Sequence, residues 1–485
     1  MKYLIVLMLC CWWIKGNSQQ CGCEANFRHM VAKVKTNYVG YQDKVSPQQE
    51  KRFLQYTDSL QQVAAITGWQ DCFLLLRSWL LFFKDQHMSL TFSRNGALNK
   101  DSIRAIFAGA EKVEMTAPDF KTYINQDPGT LDSIEGIWTD EFQSVQIGFM
   151  RDKVKKDEFI GVILKADSVL WLPGQIKARV RKKRGAYEML YLYNREHVPI
   201  QSPLALNNHM MNVGIAGILN KIYPEGTQPV SAAKVKYYTP SFKVLDEQTC
   251  LLVMPSFRLE AKPLIDSLID NNMDIIRRSK NFILDLRNNT GGSVLCFEKL
   301  LPIIYTNPII TKGAAVLATE DNIREYYSIT DYPNISDSMK AVFRQELEEL
   351  KAHKGSLYNL WKNDTLVLNE IMPTPQKVSV IINRNCASSA EIFLLKARQS
   401  SKVTIYGKNS MGAVDYSDVA TTNMPCNYFI LRYPTSRTNR LPEEPIDNIG
   451  IKPHVKIPDN VVDWVEFVKI KVAAENRKPS GRTRL

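Results

Sequence analysis

Two apolar stretches, residues 281–286 and 378–383, each stop at a turn that neither a strand nor a helix continues. Both have the length and near-continuous apolar character of strands buried on two faces. The first runs into Arg287-Asn288-Asn289-Thr290-Gly291-Gly292. The second runs into Arg384-Asn385-Cys386-Ala387-Ser388, after which the pattern to Gln399 predicts a helix. Residues 250–254, 403–407 and 428–433 read as further strands, and 262–278 as helical. Strands alternating with helices predict an α/β sheet domain over residues 246–470. Residues 463–475 predict a last helix, and 476–485 a flexible tail.

The chain upstream is patterned differently, so the whole is expected to be a multidomain α/β protein. Residues 130–245 read as a β-rich barrel or sandwich accessory domain, with short strands near 145–149, 159–163, 176–180 and 187–193. The last two flank a basic turn at 182–185 and predict a hairpin whose positive run is a solvated tip. Residues 21–125 read as an N-terminal helical region. Ser46-Pro47-Gln48-Gln49 has the form of a capping box with proline at the first helical position. Phe53, Tyr56, Leu60 and Val63 then recur at helical spacing. Residues 72–83 are apolar nearly all round, which predicts a buried helix.

Composition excludes several classes. With 485 residues, 45% hydrophobic and 23% charged, the chain can bury a sizeable core. Its formal net charge of +12 gathers partly in the runs 177–184 and 477–484. No zinc-finger spacing, ribonucleoprotein aromatic motif or Walker loop accompanies that charge, so no nucleic-acid partner is expected. The six histidines show no ligand spacing such as His-Glu-x-x-His, so neither a metal nor an organic cofactor is implied. Lys2, the apolar stretch 3–14 and the polar exit to Gln20 read as a cleaved signal peptide over 1–20. The apolar stretch is short for a bilayer, so export to the periplasm or medium is expected, without membrane insertion. A lipoprotein acylated on Cys21 is the competing reading, and the polar Asn17-Ser18-Gln19-Gln20 speaks against it. Export permits disulfides, and Cys21 or Cys23 could staple the N-terminus to the helix of Cys72. Cys250, Cys296 and Cys386 lie in apolar surroundings and read as buried thiols.

Two loops carry candidate chemistry. Twin glycines at 291–292 let backbone amides approach a ligand, and two amides aimed at one point make an oxyanion hole. The alternative is a tight structural turn in which Asp285 and Arg287 pair. Ser388 opens a helix, where free N–H groups and the dipole favour developing negative charge. Serine is also a preferred helix cap, and Ser388 with Glu391 has capping-box spacing.

The order Asp285-Leu-Arg-Asn-Asn-Thr-Gly-Gly292, Ala387-Ser-Ser-Ala-Glu-Ile392, Tyr406-Gly-Lys-Asn-Ser-Met-Gly412 and Ile446-Asp-Asn-Ile-Gly-Ile-Lys-Pro453 resembles the tail-specific (C-terminal processing) and tricorn-like serine peptidases. The resemblance spans roughly residues 250–457. It implies Ser388 as nucleophile, with Ser389 and the Gly291–Gly292 loop forming the oxyanion hole. The tail-specific branch places a lysine about 25 residues further on, where this chain has Ala413; Lys408 precedes the glycine and does not match. The resemblance therefore points to the tricorn-like branch, which takes a histidine from an N-terminal helical segment and an acid near the chain's end. Among His29, His87, His197, His209, His353 and His454, the run Asp85-Gln-His-Met-Ser89 looks like that branch's histidine element, implying His87 as general base and Asp447 as the acid orienting it. Gln86 stands where some relatives carry a small hydroxyl residue. By itself, His87 also reads as a histidine satisfying carbonyls at a helix end. No PDZ module is recognisable, and the Glu135–Trp138 opening is weakly similar to lipocalin-type barrels. The implied activity is hydrolysis of a peptide or protein substrate through an acyl-enzyme. The alternatives are an inactive binding protein that keeps the fold, or a serine esterase.

Overall fold

The computed structural model describes residues 22–477 apart from 94–99, 141–142, 184–185, 194–196, 207–208, 214–217, 225–238, 334, 459–460 and 462. The expected signal segment 1–20, Cys21 and the end of the tail lie outside these residues.

At the centre of the C-terminal part is a six-stranded sheet. Ser241–Asp246 pairs antiparallel with Thr249–Val253; parallel strands Asn281–Asp285, Lys377–Ile382, Val403–Gly407 and Val455–Lys456 follow in that order. The continuous apolar runs are explained by cover on both faces. Phe282, Leu284, Val378, Val380, Ile382 and Ile405 face a core shared with the helices Lys262–Asn271 and Ser389–Ala397. Ile283, Ile381 and Tyr406 face the opposite way, onto Val468 and Val472 of the last helix, Trp464–Arg477. The loops after three neighbouring parallel strands, at 286–292, 383–388 and 408–413, thus emerge at one edge, where open α/β sheets place their sites.

The N-terminal helices Cys23–Asn37, Pro47–Ile66 and Trp69–Leu80 share one core with the C-terminal part. Phe27, Phe53, Phe73, Leu76, Trp79 and Phe83 pack with Ala420, Met424, Phe429, Leu431 and Tyr433. The strand Ser89–Phe92 pairs antiparallel with Phe429–Thr438 in a second, five-stranded sheet. This sheet fixes the His87 turn on the C-terminal part, because the chain enters it only two residues later. Cys23 and Cys72, 49 residues apart, form a disulfide. Closing such a loop stabilises by about 4 kcal/mol in the chain-entropy treatment.

Residues Gly136–Asp140 to Ile218–Tyr223 contribute eight antiparallel strands to a closed barrel. Closure removes unpaired strand edges, which explains how strands this short stand beside the sheet domain. Buried Trp138 donates from its indole nitrogen to the Ile134 carbonyl at 2.8 Å, and Lys221 lies over its ring at 5.0 Å.

Several local expectations are corrected. The helix at Pro47 begins as expected, but Ser46 makes no side-chain cap bond; its carbonyl takes the Gln49 and Glu50 amides. Val63 is exposed, as are Leu74 and Leu81, so the 72–83 helix keeps an outer face. Of the expected basic tip at 182–185, residues 184–185 lie outside the described residues, and the cations leading into it are partnered. Lys177 is buried and donates to the Leu192 carbonyl, Arg179 pairs with Asp152 and Glu111, Arg181 with Glu158, and Lys182 with Asp132. Glu158 on the neighbouring strand and acids from the flanking loops draw the three paired cations among these, Arg179, Arg181 and Lys182, onto the barrel wall. Cys250, Cys296 and Cys386 are free, buried thiols, as expected.

Candidate active site

Ser388 ends the loop after the strand Lys377–Ile382 and caps the helix Ser389–Ala397 with φ +55° and ψ −125°. A residue with a side chain rarely takes that conformation, which costs on the order of 1–3 kcal/mol and persists only where surrounding bonds impose it. Here they do. The Ser388 amide donates to Glu391 Oε2 at 3.1 Å, and the Ala387 amide to the Asn289 carbonyl at 3.0 Å. The Glu391 amide, which a capping hydroxyl would take, goes to the Ser388 carbonyl at 2.8 Å. The helix start therefore has a backbone acceptor for this amide besides the capping-box contact of the Ser388 side chain.

Glu391 is wholly buried and collects four donors. Besides Ser388, the Ser410 hydroxyl donates at 2.6 Å, the Gly412 amide at 2.7 Å and the Ala413 amide at 2.8 Å. Burial pushes its pKa up while these bonds pull it down. One carboxylate thus ties the Ser388 turn to the 408–413 loop. Ala413, where the lysine of the other branch was expected, serves through its amide.

The glycine loop is fastened by asparagines. Asn288, at φ +65°, receives the side-chain amides of Asn383 and Asn385 at 2.8 and 2.6 Å. Arg287 and Asp285 form the structural ion pair, with Nε 2.9 Å from Oδ1. The Gly291 amide, which the resemblance implied for the oxyanion hole, donates to Asn289 Oδ1 at 2.9 Å. Gly291 also supplies space, since a β-carbon there would lie 2.7 Å from that of Ser388 and 3.0 Å from the Ser389 nitrogen. Gly292 allows the close crossing of Phe257, whose carbonyl would meet a β-carbon at 2.1 Å. The Ser389 amide, first in the helix, is among those a helix cannot satisfy internally.

His87 follows the helix Trp69–Leu80, whose last turn Leu81–Phe83 is closed by Lys84 at φ +49°. Asp85 then takes the His87 amide at 2.9 Å on one oxygen and the Tyr38 hydroxyl at 2.8 Å on the other. His87 Nδ1 lies 2.7 Å from the Tyr416 carbonyl. A carbonyl only accepts, so the proton of the neutral ring sits on Nδ1 and Nε2 is left as a base. The bond that the geometry gives the His87 ring is thus to the Tyr416 carbonyl, where the resemblance implied the Asp447 carboxylate.

Asp447 lies in the loop docked beside that turn. Asn448 donates to the Lys84 carbonyl at 2.8 Å, and Gln86 donates to Asn448 at 3.2 Å. Asp447 itself accepts the Asp415 amide at 3.0 Å and faces Lys44 at 3.5 Å. Burial, with the neighbouring charges of Asp85 and Asp415, pushes its pKa up to about 7. The folded value exceeds that of the unfolded chain, so Asp447 contributes most below the ordinary carboxylate range and its contribution fades as pH rises to about 7. Asp447→Asn keeps an acceptor for the Asp415 amide and removes the charge. It is expected to flatten the loss of stability between about pH 4 and 7, by on the order of 2–4 kcal/mol. Urea unfolding at pH 4.5 and pH 8 measures this, and identical pH slopes for variant and wild type count against it.

The Tyr416 carbonyl, on the strand Tyr416–Asn423, carries no local sequence signal. Glu391 was visible by its spacing from Ser388, but only as a capping partner.

A strained serine at a strand-to-helix turn, with a glycine packed on its β-carbon, is an α/β arrangement suited to a nucleophile. Residues 248–457 match the family model Peptidase family S41, and the chain carries a domain of that serine peptidase family. An uncharacterised protein of Chlamydia muridarum (strain MoPn / Nigg) is 23% identical over 213 residues, 37% of this chain and 35% of the relative. A protein of Chlamydia trachomatis serovar D is 23% identical over 205 residues, 36% of this chain and 34% of that one. The chain thus matches about a third of the length of these curated relatives. Among solved structures, a point mutant of CPAF superimposes with a TM-score of 0.50 at 12% identity, covering 94% of this chain and 99% of that one. Mature CPAF gives 0.48 at 13% identity, with the same coverage. At such identity the likeness is one of fold.

Proposed function

We propose that the chain is an exported serine peptidase in which Ser388 is the nucleophile and His87 the general base. The observation that carries this reading is the backbone of Ser388, held at positive φ with its amide bonded to buried Glu391. In the proposed reaction the Ser388 hydroxyl adds to the scissile carbonyl carbon as its proton passes to His87 Nε2. The amides of Ser389 and Gly292 receive the negative oxygen of the tetrahedral intermediate. Its collapse expels the amine, which takes the proton back from His87, and water then cleaves the acyl-enzyme by the same steps. Asp447 acts in this scheme by holding the Asp415 amide and the 446–450 loop against the histidine turn. The substrate is a peptide or protein chain.

Export is supported by the charged, apolar and polar order of residues 2–20 and by the Cys23–Cys72 disulfide, which suits an oxidising compartment. No helix among the described residues is long and apolar enough to cross a membrane. The test is labelling of folded protein with a fluorophosphonate and mapping of the adduct. A covalent adduct on Ser388 is expected. Folded protein that takes up no reagent, or takes it up on another serine, overturns the assignment.

A further inference from the structure

The His87 ring bonds to a backbone carbonyl, so whatever fixes the peptide groups leading to Tyr416 also fixes the base. We propose that the buried ion pair Asp415–Arg440 does this, as a pair of positioning residues that sets the Tyr416 carbonyl and through it the His87 tautomer; the proposal rests on the roles assigned above to Ser388 and His87. Asp415 directly precedes Tyr416, and each of its polar groups is engaged. Its amide donates to Asp447 Oδ1 at 3.0 Å, and its carbonyl accepts the Thr438 amide at 3.0 Å. Its Oδ1 accepts from Arg440 Nη2 at 2.9 Å. Its Oδ2 accepts two consecutive amides, those of Ile446 and Asp447, at 2.8 Å each. Asp415 and Asp447 thus clasp each other, the carboxylate of each taking the backbone amide of the other.

Arg440 extends the clasp. Its Nη2 also reaches the Val414 carbonyl at 3.4 Å, and its Nη1 donates to the Glu444 carbonyl at 3.0 Å. The peptide group between Val414 and Asp415 is therefore held at both ends, and the carbonyl of the next one is held by Thr438. The carbonyl after that is the one 2.7 Å from His87 Nδ1. The Tyr416 hydroxyl donates to Asp43 Oδ2 at 2.9 Å, which anchors the ring of that residue rather than its carbonyl. Both side chains of the ion pair are buried, Arg440 5% and Asp415 2% exposed. Burying two charges often stabilises a fold no better than apolar residues of the same volume, because both must be stripped of water. What the pair supplies is direction. A planar guanidinium and a carboxylate have fixed donor and acceptor directions, so together they join 414–416, 440–444 and 446–447 in one arrangement.

Asp415→Asn keeps an oxygen for the Ile446 and Asp447 amides but turns its own N–H groups toward Arg440, so donor faces donor. Asp415→Asn/Arg440→Met removes both charges and leaves neither unpaired, so it is expected to fold even where the single variant does not. The first readout is nitrogen NMR of isotope-labelled histidine in a Ser388→Ala background, with His87 identified by the resonances lost in His87→Gln. In the neutral ring of the parent protein the proton is expected on Nδ1. In both variants the Nε2 resonance is expected to move toward its protonated position, as the released ring populates the second tautomer. In proteins that keep Ser388, labelling by fluorophosphonate is expected to slow roughly tenfold to a hundredfold, the cost of a misplaced base. Unmoved His87 ring nitrogens in the folded double variant overturn the proposal, even if its melting temperature falls. Ring nitrogens that move in a protein whose Ser388 never labels keep the Asp415–Arg440 role and refute the peptidase reading instead.

Discussion

Ser388→Ala is expected to lower peptide hydrolysis by on the order of 10⁴–10⁶-fold and to abolish the fluorophosphonate adduct, while leaving the fold intact. The loss should be this large because the hydroxyl is the atom that forms the acyl bond; removing it leaves only the binding of substrate and oxyanion. The fold should survive because the helix start is built from the Glu391 carboxylate and the Ser388 carbonyl, neither of which the substitution touches. Alanine also keeps the β-carbon, so the strain at φ +55° is unchanged. Ser388→Gly removes that strain and is expected to be more stable than the alanine variant by roughly 1 kcal/mol, though equally inactive. The pair separates catalysis from architecture. An alanine variant retaining more than about a tenth of the activity sinks the nucleophile assignment.

The second large effect is expected at Glu391. Its two oxygens each accept two donors, Ser410 and Gly412 on one, Ser388 and Ala413 on the other. A glutamine can present an oxygen to only one pair; its amide then points hydrogen at the other, leaving two buried donors unsatisfied. At about 1–3 kcal/mol for each orphaned group, Glu391→Gln should cost about 3–5 kcal/mol, although it is nearly isosteric. Labelling of Ser388 should fall with it, since the turn that holds the serine loses its tether. Thermal unfolding of the variant, followed alongside labelling, measures both. A midpoint within a degree of wild type shows that the carboxylate is not the anchor.

These two residues show how unevenly the sequence exposes a site. Ser388 was legible because a strand, a turn and a helix start leave local marks, and because neighbouring motifs fall in a family's order. Glu391 was legible only in part. Its three-residue offset predicts a contact with the Ser388 turn, but three of its four donors come from Ser410, Gly412 and Ala413, outside any helical spacing. The glycine loop divides similarly. Glycines at 291 and 292 announce unusual backbone or close approach, and both have it, at φ +93° and +142°. Which amide stays available was not announced, because the partner that consumes the Gly291 amide is a side chain that could have turned elsewhere.

The N-terminal region gives the sharpest contrast. Its helices were legible from periodicity, yet their buried face belongs to a core completed by residues 420–433, which no local pattern reveals. His87 could be named as a candidate by its neighbours, but the carbonyl that selects its tautomer lies 329 residues away. The sequence alone determined where the strands, turns and helix starts fall, because backbone preferences and apolar period act between residues a few positions apart. Only the tertiary structure decided which carbonyl, amide and acid meet the serine and the histidine. Those choices depend on hydrogen-bond geometry and burial, which exist only once distant segments are packed together.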